Sequence, residues 1–98
     1  MTKAAAKTGK MAEAPAWQQR IAEENPEALS LDGFDDAVMG IARRCGQPTL
    51  LVYSADKCIQ ILMRRDKMTY DSAVEYFEFN TAGAWFGPHT PIIFERID

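Results

Sequence analysis

Apolar residues are sparse at the start of the chain and become dense from Leu31 onward. Residues 1–16 are mainly alanine, lysine and small polar residues, which offer too little apolar surface to offset the entropy cost of ordering. We therefore predict a disordered tail over residues 1–16 and a single α+β domain over residues 31–98. A chain of 98 residues has room for one modest hydrophobic core.

The intervening residues, 17–30, predict a short helix followed by a linker. Trp17 and Ile21 are spaced i, i+4, which places both side chains on one face of a helix. Pro26 lacks a backbone donor and would end that helix. Trp17 then either anchors the helix on the domain or, if it is exposed, marks a partner site.

Two strands are expected at the start of the domain. Residues 49–53 form an apolar run that follows the turn residues Gly46 and Pro48. Residues 37–42 fit a helix or a strand. Phe34, Val38 and Ile41 have helical spacing, whereas Met39 and Ile41 alternate with Gly40 and Ala42 as they would in a strand. We favour a strand, since a hairpin would give each strand a partner.

Two helices and a closing strand complete the domain. Ser54 and Thr69 are favourable N-cap residues, and the spacing after them predicts helices over residues 55–65 and 69–85. The apolar run at residues 92–97 predicts the closing strand. The expected order is ββααβ, in which an antiparallel hairpin plus the closing strand carry two helices on one face.

The predicted core lies between these helices and the sheet, with Leu62, Phe77 and Phe94 buried together. Cys45 and Cys58 are expected to be free, buried thiols, because no histidine or further cysteine accompanies them at metal-ligand spacing. The buried stripe of the first helix is expected to consist of Cys58, Ile59, Leu62 and Met63.

The charge pattern argues against nucleic acid or a membrane as the partner. The net charge is −3, and a concentrated basic face is what nonspecific nucleic-acid binding needs. Carboxylates lie near most of the residues that could form a basic patch, so a solvated surface is favoured. Those residues are Arg43, Arg44, Arg64, Arg65 and Lys67. No apolar run is long enough to span a bilayer, and no signal peptide is evident, which predicts a cytoplasmic location.

No residue pattern indicates a catalytic or metal centre. Asp32, Asp35 and Asp36 could gather a divalent cation, but no calcium-loop spacing accompanies them, so turn and capping roles are favoured. His89, the one histidine, has no adjacent nucleophile or acid and is expected to hydrogen-bond within its loop. The glycines of residues 83–90 are expected to supply positive φ at the end of the second helix rather than to cradle phosphate. We predict no enzyme activity, no metal and no cofactor.

Aromatic residues are too dense in the second helix and the loop after it to face a single core. Tyr76, Phe79, Trp85 and Phe86 are therefore predicted to form a partner-binding surface. The alternative is that the N-terminal segment covers one side of this helix and hides them.

Four segments together carry a resemblance to known sequences: DGFDDA at residues 32–37, VYSADKCIQILM at 52–63, EYFEFNTAGAWFG at 75–87 and TPI at 90–92. The pattern resembles a small protein family that is scattered through bacteriophage and prophage genomes. The resemblance implies a location in the host cell, where short phage genes often encode inhibitors or adaptors. It transfers no catalytic residue to this chain.

These observations predict a non-enzymatic phage accessory protein that binds a host or phage protein and inhibits host machinery or antiviral defence. The alternative is a binder of a small, nucleotide-like ligand, held between sheet and helices or across an oligomer interface. A homodimer is the default expectation for a small chain with surplus apolar side chains.

Overall fold

The computed structural model describes residues 2–3 and 15–98 of the chain. The α+β class is confirmed, and none of the described helices is long and apolar enough to cross a membrane. The tail predicted for residues 1–16 falls almost entirely outside the described residues. In chain order the elements are β1 (Thr2–Lys3), α1 (Ala16–Glu24), β2 (Leu29–Ser30), β3 (Val38–Ala42), β4 (Leu50–Ser54), α2 (Ala55–Arg65), α3 (Tyr70–Phe77) and β5 (Ile92–Phe94).

The main sheet has three strands, with β4 between β3 and β5. β3 pairs with β4 in the antiparallel direction, so the ambiguous segment 37–42 is a strand from Val38 onward, after a 3-10 turn at Asp35–Ala37. β5 runs parallel to β4, and it is shorter than the strand predicted for residues 92–97. A separate two-stranded sheet joins β1 to β2.

The two faces of the main sheet differ in burial. In β4, Leu51 and Tyr53 are fully buried, whereas the alternating Leu50 and Val52 are half-buried. Residues opposite each other in a ladder point to the same side, so Ile93 of β5 shares the buried side with Tyr53. We call this side the inner face and the side of Leu50 and Val52 the outer face.

The prediction that Phe94 is buried with Leu62 and Phe77 is wrong for Phe94. Leu62 and Phe77 are fully buried, but Phe94 is 41% exposed. Because side chains alternate along a strand, Phe94 shares the outer face with Ile92, and Ile93 between them packs on the core.

Helix α2 begins directly at the end of β4. Ser54 is the last residue of the strand and also the N-cap, where its Oγ accepts a hydrogen bond from the Lys57 amide at 3.3 Å. Met63 was predicted in the buried stripe but is exposed, because it lies about 140° around the helix from Cys58. The buried residues are Ala55, Cys58, Ile61 and Leu62.

The two cysteines are free, as predicted, but only Cys58 is buried. Cys45 was expected to be buried but is exposed, because it lies in the turn that joins β3 to β4 and not in a strand that faces the core. Burial raises the pKa of the Cys58 thiol to about 12, since a thiolate would lose its hydration in the core.

Helix α1 packs on the same core. Ile21 is fully buried, and Trp17 is partly buried against the cluster that includes Leu51 and Phe77. Trp17 is therefore a structural anchor, the first of the two roles considered for it.

Asn25, which caps the C-terminus of α1, joins three separate parts of the chain. Its Nδ2 donates to the Thr49 carbonyl at 2.8 Å and contacts His89 Nδ1 at 3.1 Å, while its Oδ1 accepts from the Glu27 amide at 3.1 Å. A carbonyl only accepts and an amide only donates, so these two bonds fix the orientation of the Asn25 side chain. His89 Nδ1 must then be the acceptor, which confirms a structural hydrogen-bonding role for this histidine.

Replacing Phe77 by alanine should lower the free energy of unfolding by about 3–5 kcal/mol, because it opens a cavity in a fully buried site. Phe79→Ala is the matched control, since that ring is exposed and its loss should cost no more than about 0.5 kcal/mol. Urea denaturation of both variants measures the difference, and equal losses would contradict this placement of the core.

Iodoacetamide at about pH 8 should alkylate Cys45 in the native protein and spare Cys58, because only a thiolate reacts. When the pH exceeds the ordinary pKa of a cysteine thiol, Cys58 loses its proton in the unfolded chain but keeps it in the folded chain. The stability that this thiol contributes is therefore complete below about pH 9 and is lost as the pH rises towards 12. Mass spectrometry of native and denatured samples counts the modified thiols. Two labels on the native protein would exclude a buried Cys58.

Asn25→Asp should destabilise the protein by about 1–3 kcal/mol, because it replaces the donor to the Thr49 carbonyl by a second acceptor. Lowering the pH should recover part of the loss by protonating the new carboxyl group. Thermal unfolding at about pH 7 and pH 4, relative to wild type, measures both effects. An unchanged melting temperature would show that Asn25 does not connect these segments.

Candidate partner-binding surface

Tyr76, Phe79, Trp85 and Phe86, which we call the aromatic surface, are all exposed. The exposed fractions are 43% for Tyr76, 79% for Phe79, 74% for Trp85 and 58% for Phe86. Residues 15–98 leave these rings exposed, and most of the N-terminal segment that the alternative invokes lies outside the described residues. Most large apolar side chains of a small domain are needed in its core, so four exposed rings in one stretch are unusual.

Helix α3 sets the direction of Tyr76. Thr69 caps the helix, with its Oγ1 accepting from the Ser72 amide at 3.2 Å. Ala73 and Phe77 are the buried positions of α3 and are spaced i, i+4, so they fix the side of the helix that faces the core. Tyr76 lies about 100° from Phe77 around the helix axis, which brings its ring to the surface.

The α-helix predicted to continue to residue 85 stops at Phe77 and becomes a π-helical turn, Glu78–Ala82. The Gly83 amide closes this turn by donating to the Glu78 carbonyl at 3.0 Å, and Asn80 Nδ2 donates to the Tyr76 carbonyl at 3.1 Å. These bonds satisfy backbone groups at the change of helix type. Wider turns of this kind are frequent at functional sites.

Gly83 is required by close packing, not by the positive φ that the sequence suggested. Its φ is −83°, and a Cβ atom there would lie 2.8 Å from the Glu78 carbonyl oxygen. Gly87, in contrast, does adopt a positive φ of 104° in the following loop.

The loop that carries Phe86 is closed by Thr90. Thr90 Oγ1 accepts from the Phe86 amide at 2.8 Å and donates to the Gly87 carbonyl at 2.7 Å. The backbone on both sides of Phe86 is therefore held by hydrogen bonds. A ring on such a backbone loses little conformational entropy when a partner covers it.

Tyr76 and Phe86 meet at a cleft of about 200 Å³, which we call the aromatic cleft. Phe79 and Trp85 do not line it. The sequence prediction missed the side chains that the fold brings to the cleft from distant positions, since no local pattern links them. The residues that complete its lining are Leu31, Asp32, Phe34, Arg65, Asn80 and Thr81.

Arg65 fixes one wall of the aromatic cleft. Its Nη1 donates to the Gly33 carbonyl at 2.9 Å, and its guanidinium carbon lies 5.3 Å from the centre of the Phe34 ring. Its Nε and Nη2 donate to Asp66 Oδ1 and Oδ2 at 3.1 and 3.2 Å, and this pairing lowers the pKa of the Asp66 carboxyl group. Arg65 is thus an internal clamp rather than a free cation.

The other candidate groups do not assemble into a chemical centre. Within residues 2–3 and 15–98, no three histidine, cysteine, aspartate or glutamate side chains are grouped as metal ligands would be. Arg64 and Arg65 line a second cleft of about 450 Å³, but Asp35 and Asp36 line it as well. The arginines at 43 and 44 line a third cleft elsewhere, so the predicted basic residues do not share one site.

The chain matches no protein-family model, no curated protein and no solved structure.

Proposed function

We propose that this chain is a non-enzymatic accessory protein that binds another protein through the aromatic surface. The observation that carries the proposal is the exposure of four large rings next to a hydrogen-bonded π-helical turn and loop. Aromatic side chains dominate binding energy at protein interfaces when a partner removes them from water. A backbone that is already ordered lowers the entropy cost of that step.

The aromatic cleft defines the chemistry that the partner should present. A volume of about 200 Å³ is below the roughly 300–1,000 Å³ of small-molecule sites, so one apolar side chain fits better than a whole ligand. Asn80 and Asp32 at the cleft add polar groups beside the Tyr76 and Phe86 rings. The proposed partner therefore inserts an apolar anchor whose flanking backbone or side chains form hydrogen bonds.

The biological setting of the proposal rests on the sequence resemblance. We infer that the protein acts in the cytoplasm of a phage-infected cell, where it binds a host or phage protein and inhibits host machinery or antiviral defence. We also infer that α2 and α3 cover one face of the sheet in the order ββααβ. That arrangement would leave the outer side of α3 available to the partner.

The alternative of nucleotide binding has less support. Arg64 faces the larger cleft of about 450 Å³, where an anionic phosphate could approach it, but Asp35 and Asp36 face the same space. Two carboxylates there would repel a phosphate, and Arg65 is already bound to Asp66. We therefore assign the primary role to protein binding.

The test begins with capture of binding proteins from bacterial lysate. Each captured protein is then purified and titrated with this chain to measure its affinity. Replacing Phe79 and Phe86 by alanine should weaken binding by about thirtyfold or more, as truncation of central interface residues does. Tyr70→Ala is the matched control, because Tyr70 is an exposed aromatic residue of α3 outside the aromatic surface. Equal affinity of the double variant and wild type would refute this binding site, and stabilisation by nucleotides in a thermal-shift screen would favour the alternative.

A further inference from the structure

The cleft beside the turn between β3 and β4, which we call the turn cleft, has features of a binding site that the proposed function does not use. Its volume is about 410 Å³, which lies within the roughly 300–1,000 Å³ of small-molecule sites. Its described lining shares no residue with the aromatic surface or the aromatic cleft. Among the described residues that line it there is neither a carboxylate nor an aromatic ring.

The polar groups of the turn cleft come from the turn itself. Arg43 and Arg44 follow the last residue of β3, and both line the cleft together with Gln47. The Gln47 amide closes the turn by donating to the Arg44 carbonyl at 2.9 Å. Both arginines are exposed, and neither guanidinium has a hydrogen-bond or ion-pair partner among the described residues. Two unpaired guanidinium groups favour an anion, which they bind through paired hydrogen bonds.

The rest of the turn cleft is aliphatic and crosses the sheet. Leu50 of the central strand and Ile92 of β5 line it, so it extends from the end of β3 across two strand spacings, roughly 10 Å. Pro48 and Pro88 also line it, and neither has a backbone N–H group to offer. The turn cleft therefore has a cationic part in the turn and an apolar part that extends over the sheet.

Asn25 holds the two walls of the turn cleft together. Pro48, in one wall, precedes Thr49, and Pro88, in the other, precedes His89. Asn25 Nδ2 donates to the Thr49 carbonyl at 2.8 Å and to His89 Nδ1 at 3.1 Å, so one side chain connects both walls. The cleft is thus ordered before a ligand enters, which lowers the entropy cost of binding.

We propose that the turn cleft binds a small molecule with an anionic head group and an aliphatic tail, such as a medium-length fatty acid. The head group contacts Arg43 and Arg44, and the tail covers Leu50 and Ile92. A nucleotide fits less well, because no described residue of the lining offers an aromatic ring on which its base could stack. A peptide C-terminus also supplies an anion, but its buried amide groups would lack hydrogen-bond partners along an aliphatic lining.

NMR titration of the methyl groups tests the proposal, with octanoate and octyl phosphate as probes. Both should shift the methyl resonances of Leu50 and Ile92 and leave those of Val74, which lies on α3 outside the cleft, unchanged. The tighter of the two probes identifies the head group. Acetate, which lacks the tail, and octan-1-ol, which lacks the charge, should each bind at least about tenfold more weakly than octanoate.

Substitutions in the turn test the role of the arginines. Arg43→Gln and Arg44→Gln should each weaken octanoate binding by about tenfold or more, because each removes a charged hydrogen-bond donor. Arg96→Gln is the matched control, since it removes the same charge from an exposed arginine that does not line the cleft. The melting temperatures of the variants at 43 and 44 should equal that of wild type, because both side chains are exposed and unpaired in the described chain.

Three results would overturn the proposal. The first is a flat titration with both probes up to about 10 mM, since a ligand of this size should bind in the millimolar range or more tightly. The second is an affinity for octan-1-ol, or of the Arg43 and Arg44 variants for octanoate, that equals the affinity of wild type for octanoate. The third is tighter binding of the tripeptide Ala-Ala-Leu than of octanoate, which would assign the turn cleft to a peptide C-terminus. Phe79→Ala should leave octanoate binding unchanged, so this site and the aromatic surface are tested separately.

Discussion

The buried phenol of Tyr53 holds together the parts of the chain on which the rest of the structure depends. Tyr53 lies in the central strand and is fully buried, and its hydroxyl group accepts a hydrogen bond from the Leu31 amide at 2.8 Å. Burial raises the pKa of this phenol and keeps it neutral, and the Leu31 amide gives its buried oxygen a hydrogen-bond partner. The bond fixes the segment before β3, which brings Phe34 under the Arg65 guanidinium and forms one side of the aromatic cleft.

The aromatic residues are exposed because the small core provides few interior positions. In α3 and the π-helical turn that follows it, the sites that face the interior are Ala73, Phe77 and Thr81, each four residues after the last. Phe79 and Trp85 consequently have no interior site to occupy. The same small core leaves the outer face of the sheet uncovered, so both apolar surfaces result from three strands and short helices sharing one interior.

The sequence predicted the elements that have strong local signals. Ser54 marked the start of α2 and Thr69 that of α3, because both side chains cap the first turn in the way that their chemistry favours. The sequence did not show which side chains of β5 face the core, because Ile92, Ile93 and Phe94 are all apolar and give no alternation of apolar and polar residues.

The aromatic surface was predicted as exposed residues, but its cleft was not. The lining of the cleft includes Asp32 and Arg65, which are far from Tyr76 in sequence and reach it only through tertiary contacts. The π-helical turn was also missed: Gly83 was assigned to a positive φ at the helix end, whereas it lies close to the Glu78 carbonyl and donates the bond that closes the turn. Binding by the surface itself stays a prediction.

The parallel pairing of β5 with β4 has a consequence for the order of folding. β3 and β4 are joined by a short turn and can pair early, whereas both α2 and α3 lie between β4 and β5. Closing so long a loop costs entropy that is repaid only after the helices have packed. Until then one edge of β4 has unpaired backbone groups, so a nascent chain that lacks its last residues would present an open strand to its neighbours.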